Sequence, residues 1–371
     1  MLYTHNKHGL YVSCGRGWLD EYFNDLWIYD FSDDQWRKMD QTFISIMPEP
    51  RYATVGGIYP SYEYSSDEKN NLYLAMGRSQ YNMYNNMYAF TFTDLRAVSG
   101  IWEMIYTDIL TGPYSFTSPH GRTFASSAVI SPDELLIHGG CLSGGFSGGP
   151  CPSFDSWIYS YSKNKWEKID SSCISPRIFS SMASLVSDGF RQSAVMFSGY
   201  EKDSTILKTD NEREEEVALY DSLARKWVKK RVQGFYFPEK RNGHVMCTGK
   251  LNNDYGVFMF GGYGHFSDTN LADLWFLRVN ISSAFDNPTL TSFYPIGDTN
   301  DRYFINLCCS YFTTIHVHAI LMFVGWGIFI NIGTLIVNYA DKDKDDDNYE
   351  KRHRVVVRTY NVLQVIIKIK L

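Results

Sequence analysis

Residues 135–140 read LLIHGG, an aliphatic run that stops at a pair of glycines. Aliphatic and β-branched side chains suit a pleated, half-buried strand, and Gly at its end permits a left-handed turn or a close backbone approach. Taken alone this is one strand and one turn. Its recurrence decides the fold: LYVSCG at 10–15, LYLAMG at 72–77, VMFSGY at 195–200 and VFMFGG at 257–262 repeat it. Gly15, Gly77, Gly139, Gly199 and Gly261 are separated by 62, 62, 60 and 62 residues. A fixed period of this size marks a repeated supersecondary unit that buries its faces only by stacking on its neighbours.

The same order of features follows each glycine. An aromatic run comes next: DLWIYDF, NMYAFTF, SWIYSYS, VALYDS and DLWFLRV. Four of these precede a Trp, at 36, 102, 166 and 227. Ahead of four of the glycines a Pro stands close to an Arg: Pro50 and Arg51, Pro119 and Arg122, Pro176 and Arg177, Pro238 and Arg241. One unit is therefore a four-stranded sheet, and a Trp at a constant place suits packing between adjacent sheets. Arg51, Arg122, Arg177 and Arg241 read as braces between blades, because five N–H donors can satisfy many loop carbonyls.

These residues resemble the kelch repeat, in which a hydrophobic run and Gly-Gly are followed by a Tyr-bearing strand and a Trp. The resemblance covers roughly residues 9–280 and implies a β-propeller. The Gly pair is intact only at 139–140 and 261–262, so three units are degenerate. A period above the usual ~50 residues predicts long loops at 61–71, 78–85, 139–153 and 200–215. The first unit starts at its second strand, and no Trp strand is visible after DLWFLRV. The chain therefore reads as lacking an N-terminal portion, with an incomplete first blade.

Composition narrows the function classes. A net charge of −6 and a pI near 5.9 give no basic footprint, so nucleic acid is not an expected partner. The seven cysteines contain no CxxC, which leaves a zinc site without support. Cys141 and Cys151 bracket a Gly-rich loop and are either a local disulfide or two free thiols. That loop, GGCLSGGFSGGPC, lacks the Lys-Ser/Thr and the following helix of a phosphate loop. His120, His138, His244 and His265 lie on repeat strands or loops. Galactose oxidases, which are kelch-like, hold copper with His and Tyr, but repeat position alone does not bring these four together. No catalytic constellation and no metal site emerge.

The C-terminal part differs in kind. From Tyr303 to Ala340 there is no Asp, Glu, Lys or Arg, and 319–337 is almost wholly apolar. A helix of that stretch spans about 28 Å, close to the hydrocarbon thickness of a bilayer. Arg302 is the one nearby basic residue ahead of it, whereas Lys342, Lys344, Lys351, Arg352, Arg354 and Arg358 follow. This distribution puts the C-terminus in the cytosol and the propeller in a lumen or outside; the Asn280-Ile281-Ser282 sequon is consistent with that side. The stretch HAILMFVGWGIFINIG, followed by Tyr339, resembles the first core helix of the cytochrome b561 family. That resemblance implies His318 as a haem ligand, with a second His expected on a following helix. Tyr360 stands where that His would be.

The sequence therefore predicts an all-β fold, a kelch-type β-propeller of about five four-stranded blades at 1–280, and a linker at 281–315. One transmembrane α-helix at 316–340 and a charged cytosolic tail at 341–371 complete it. The expected function is a membrane-tethered interaction module binding a protein or glycan through its loops, with residues 319–337 in the membrane. The alternative is a truncated form of a kelch-fused cytochrome b561-like electron carrier. This chain alone is expected to bind no cofactor, while a longer form would hold haem b and act as a transmembrane oxidoreductase.

Overall fold

A computed structural model describes residues 2–5, 8–41, 46–59, 71–94, 99–106, 117–142, 149–185, 193–201, 216–232, 236–252, 254–280 and 289–296. All regular structure among them is β-strand. The chain divides into two units, Met1–Tyr311 and Phe312–Leu371, and every described residue belongs to the first. The helix predicted at 316–340, the tail at 341–371, His318 and Tyr360 lie outside the described residues. Among those described, no helix is long and apolar enough to cross a membrane.

Five antiparallel sheets follow one another along the chain, and each is a meander. Blade 1 runs through Leu2–His5, Gly9–Arg16, Tyr22–Asp30 and Gln35–Lys38. Blade 2 uses Val55–Gly57, Leu72–Ala75, Met87–Asp94 and Ser99–Tyr106, with Asp40–Gln41 added in parallel along the last of these. Blade 3 uses Ser126–Ser131, Glu134–His138, Ser156–Ser160 and Lys165–Ile169. Blade 4 uses Ser181–Leu185, Ser193–Phe197, Glu216–Asp221 and Lys226–Arg231. Blade 5 uses Val245–Leu251, Asp254–Phe260, Leu274–Asn280 and Thr289–Ile296.

Burial explains the sequence pattern. Second strands such as Leu72–Ala75 and Ser193–Phe197 are buried at every position, because both faces meet a neighbouring blade. Fourth strands lie at the rim, where Lys165–Ile169 buries only Trp166 and Ile169. Four apolar clusters join blade 1 to 2, 2 to 3, 3 to 4 and 4 to 5.

Two ends of the propeller correct the sequence reading. Leu2–His5 pairs with the second strand, Leu2 opposite Ser13, so blade 1 has its first strand without a Pro-Arg signal ahead of it. Thr289–Ile296 pairs with Leu274–Asn280 and gives blade 5 a fourth strand inside the stretch read as linker. It was hidden because Phe293 takes the Trp place. Leu277 faces Phe293 as Tyr159 faces Trp166, and Phe293 is buried in the cluster with blade 4.

The tryptophans divide. Trp102, Trp166 and Trp227 are 1–2% exposed in blade-to-blade clusters. Trp36 holds the same register place, opposite Tyr29, yet is 39% exposed.

Candidate functional site

The site is built outward from the arginines. In blade 3, Arg122 is fully buried; its Nε donates to the carbonyl of His120 and its Nη1 to that of Gly139. Both terminal nitrogens fork onto Asp155, at 2.7 and 2.8 Å. Asp155 also accepts Ser153 Oγ–H and Trp157 Nε1–H. Burial is the largest single influence and pushes the Asp155 carboxyl up, but the hydrogen bonds and charge of Arg122, with the hydrogen bonds from Ser153 and Trp157, together outweigh it and hold the group well below the usual carboxylate range. Blade 5 repeats the arrangement with Arg241, the Gly261 carbonyl, Asp273 and Trp275. In blade 2, Arg51 reaches Asn86 and the neighbouring Glu49, and lies 3.8 Å over the Tyr84 ring. In blade 4, Arg177 donates to the Ser198 carbonyl and to Ser175 Oγ.

These side chains brace their own blade, which refines the expectation of braces between blades. The inter-blade link is the backbone carbonyl of the same arginine. Gly15, Gly77, Gly140 and Gly199 donate their N–H to Arg51, Arg122, Arg177 and Arg241 of the next blade, at 2.8–3.0 Å. A Cβ on Gly140 would sit 2.8 Å from the Thr123 carbonyl oxygen, so that link requires glycine. The preceding residue is left-handed in all five blades: Cys14, Met76 and Ser198 have φ of 60°, 60° and 46°, as Gly139 and Gly261 have 68° and 65°. The degenerate units thus keep the turn of the Gly pair at a cost of about 1–2 kcal/mol each.

Each of the five loops between second and third strands presents an exposed aromatic among its described residues. Trp18, Tyr81, Phe154, Tyr200 and Phe266 are 78%, 83%, 55%, 36% and 64% exposed. Inside them runs an arc of rings: Tyr22 to Tyr52 at 5.9 Å, Tyr52 to Phe124 at 6.2 Å and Phe124 to Phe179 at 4.3 Å. Arg16 lies over Tyr52. The backbone fixes the arc, since Phe179 N–H donates to the Phe124 carbonyl and Gly243 N–H to that of Phe179. Phe124 and Phe179 hold φ of 57° and 55° there, uncommon for bulky side chains. The Cys141–Cys151 disulfide closes the base of the blade 3 loop.

The sequence reading missed these aromatics because they fall 3, 4, 15, 1 and 5 residues after their repeat glycines, at no common offset. It did single out the histidines, of which the structure puts His138 in blade 3 and both His244 and His265 in blade 5. His138 Nδ1 meets Ser156 Oγ at 2.7 Å and Nε2 meets the Ser175 carbonyl at 3.3 Å. His244 lies edge-on to Phe197, its two ring nitrogens without a hydrogen-bond partner among the described residues. His265 meets Asn242 on the loop side of blade 5. Among the described residues no three metal-ligating side chains come together.

Burial, helped by the nearby arginine, pushes both His138 and His244 down to about 3. Each ring is neutral in the fold at pH 7. Each folded value lies below the unfolded value of about 6.5, so the unfolded chain takes up protons first as pH falls. Their stability contribution is whole above about pH 6.5 and is lost between there and pH 3, at up to ~1.4 kcal/mol per pH unit for each ring. His244→Phe should flatten the fall in urea midpoint between pH 6.5 and 4.5 by one ring's share. An unchanged slope would refute the buried neutral state.

Five kelch-type blades with one aromatic-bearing loop face define a β-propeller built as an interaction module. The match to the Attractin/LZTR1 β-propeller model covers residues 3–275, and the chain belongs to that family. No curated protein matches. A solved structure titled "Structure of YjhT" is similar at 14% identity and a TM-score of 0.49, over 78% of this chain and 83% of that one.

Proposed function

We propose that the chain binds a protein partner across the loop face, with Trp18, Tyr81, Phe154, Tyr200 and Phe266 as its anchors. One observation carries this reading: all five equivalent loops expose a large aromatic side chain. Binding energy at protein interfaces concentrates on Trp, Tyr and Arg, which bury much area at little rotamer cost. Exposed aromatics around a braced rim favour a folded partner that spans several blades.

A photo-crosslinking residue at Phe266 should capture a protein, whereas one at Leu223, in the hairpin at the opposite end of the blade 4 strands, should not. Equal labelling at both places would defeat the assignment, and capture by a glycan array instead would replace the partner class. For the captured protein, Trp18→Ala should weaken binding at least tenfold, about 1.4 kcal/mol. The melting point should stay unchanged, because that side chain is almost fully exposed.

In this reading the propeller lies outside the cytosol. The basic residues that follow 319–337 support this, as does the Cys141–Cys151 bond, since disulfides persist in oxidising compartments. Retention of the full chain in membranes after an alkaline wash tests the tether; release would reject it. The haem reading of His318 rests on sequence resemblance alone.

A further inference from the structure

The arc of rings on the loop face stops before blade 5, although the backbone that carries it does not. Ala53, Phe124, Phe179 and Gly243 each stand two residues after a brace arginine, and all four are left-handed, with φ of 55°, 57°, 55° and 65°. Phe179 N–H donates to the Phe124 carbonyl at 3.1 Å, and Gly243 N–H to that of Phe179 at 2.9 Å, so the same link continues into blade 5. The Phe179 ring lies 4.3 Å from that of Phe124, at 36° between planes. At Gly243 the backbone carries no ring to stack on Phe179 in turn.

Two observations single out this place. A Cβ built on Gly243 meets no described atom within 4 Å, whereas one on Gly140, Gly199 or Gly262 would meet an atom at 2.8, 2.6 or 2.7 Å. Phe179, although packed against Phe124, is 37% exposed. Conformation alone accounts for glycine at 243, since the left-handed region favours it. It does not account for phenylalanine at 179, where a bulky side chain bears the same strain without being buried. The neighbours of both residues are tied together: Tyr200, paired with Ile178, meets His265 edge-on at 6.5 Å, and His265 meets Asn242 at 3.1 Å.

We propose that Phe179 and the open backbone of Gly243 form a subsite for one aromatic side chain of the protein partner, which stacks on Phe179 as Phe179 stacks on Phe124. The inference rests on the loop-face reading above and names what the partner inserts. The occupant is aromatic because the repeat itself sets phenyl rings on this backbone at 124 and 179, and an exposed ring face favours offset stacking of a second ring.

The probe is N-acetyl-4-fluorophenylalaninamide, its fluorine signal followed as the full chain is added. The signal should shift saturably. N-acetyl-tyrosinamide should displace the probe, and N-acetyl-leucinamide should do so about tenfold more weakly. Gly243→Phe supplies the ring found at the equivalent places and should abolish binding. Phe179→Leu, which keeps an apolar side chain without a ring, should weaken binding about tenfold, and it decides the matter where Gly243→Phe fails to fold. Leu223→Ala, at the opposite end of the blade 4 strands, should change nothing. No saturable shift, equal displacement by the leucine amide, displacement by methyl glucoside instead of the tyrosine amide, or full binding to Phe179→Leu would each overturn the aromatic subsite. Where the amides bind as expected but the partner crosslinked through Phe266 is indifferent to both variants, the assignment to the partner falls and the loop-face reading stands.

Discussion

Arg122→Ala should destabilise the chain by about 3–5 kcal/mol at pH 7, as breaking one side of a buried ion pair does. The guanidinium is fully buried and the Asp155 side chain 13% exposed, so water cannot take the place of the lost partner. The loss is more than one pair, because the carbonyls of His120 and Gly139 also lose their donor. Arg51→Ala should cost less, since its carboxylate partner Glu49 is 50% exposed and can hydrate. A pH series separates the ion pair from simple loss of volume. Without Arg122, burial acts on Asp155 against only the hydrogen bonds from Ser153 and Trp157, so its folded pKa rises well above the wild-type value. The uncompensated carboxylate costs stability at neutral pH, and protonation relieves that cost as pH falls toward the raised value. The deficit of Arg122→Ala against wild type should therefore shrink from pH 7 to pH 4. Urea midpoints read it. A deficit below ~1 kcal/mol, or one flat with pH, would mean that the brace adds little to the blade.

The brace shows how far the sequence could be read. Arg51, Arg122, Arg177 and Arg241 stand out because each follows a Pro by one or three residues, and their role as donors to loop carbonyls follows from the guanidinium alone. The carboxylate acceptors of Arg122 and Arg241 were equally visible as Asp-Ser-Trp and Asp-Leu-Trp at 155–157 and 273–275. A third-strand run rich in aromatics, however, declares itself as strand and conceals the carboxylate at its mouth. Strand identity is a period-2 property of several residues, while a site is a meeting of single residues from different loops. Register made the five blades legible. The loop aromatics were not, because surface loops keep no offset, and Leu2–His5 and Thr289–Ile296 were missed where the Arg or Trp marker is missing or replaced by Phe293.

Trp166→Ala should cost about 3–5 kcal/mol, the range for a large aromatic removed from a core. Trp166 is 2% exposed and packs with Tyr159 at 5.2 Å and Tyr106 at 6.4 Å, in the cluster that joins blades 2 and 3. Its removal leaves a cavity between two sheets that are each fixed by their own ladders and cannot collapse to fill it. Trp36→Ala, at the same register place but 39% exposed, removes far less buried area and should cost clearly less; Trp18→Ala should cost least. The indole nitrogens allow a sharper comparison. Trp166 Nε1 is buried without a hydrogen-bond partner among the described residues, whereas Trp227 Nε1–H donates to Ser156 Oγ at 3.0 Å. Phenylalanine keeps most of the apolar contact and discards the N–H. At 166 that relieves an unpaired donor, and at 227 it breaks a bond shared with the oxygen that also meets His138. Trp227→Phe should therefore lose about 1–3 kcal/mol more than Trp166→Phe, the cost of leaving a buried polar group unpaired. Equal losses at 18, 36 and 166, or a phenylalanine penalty larger at 166 than at 227, would break the equivalence of these places in the repeat.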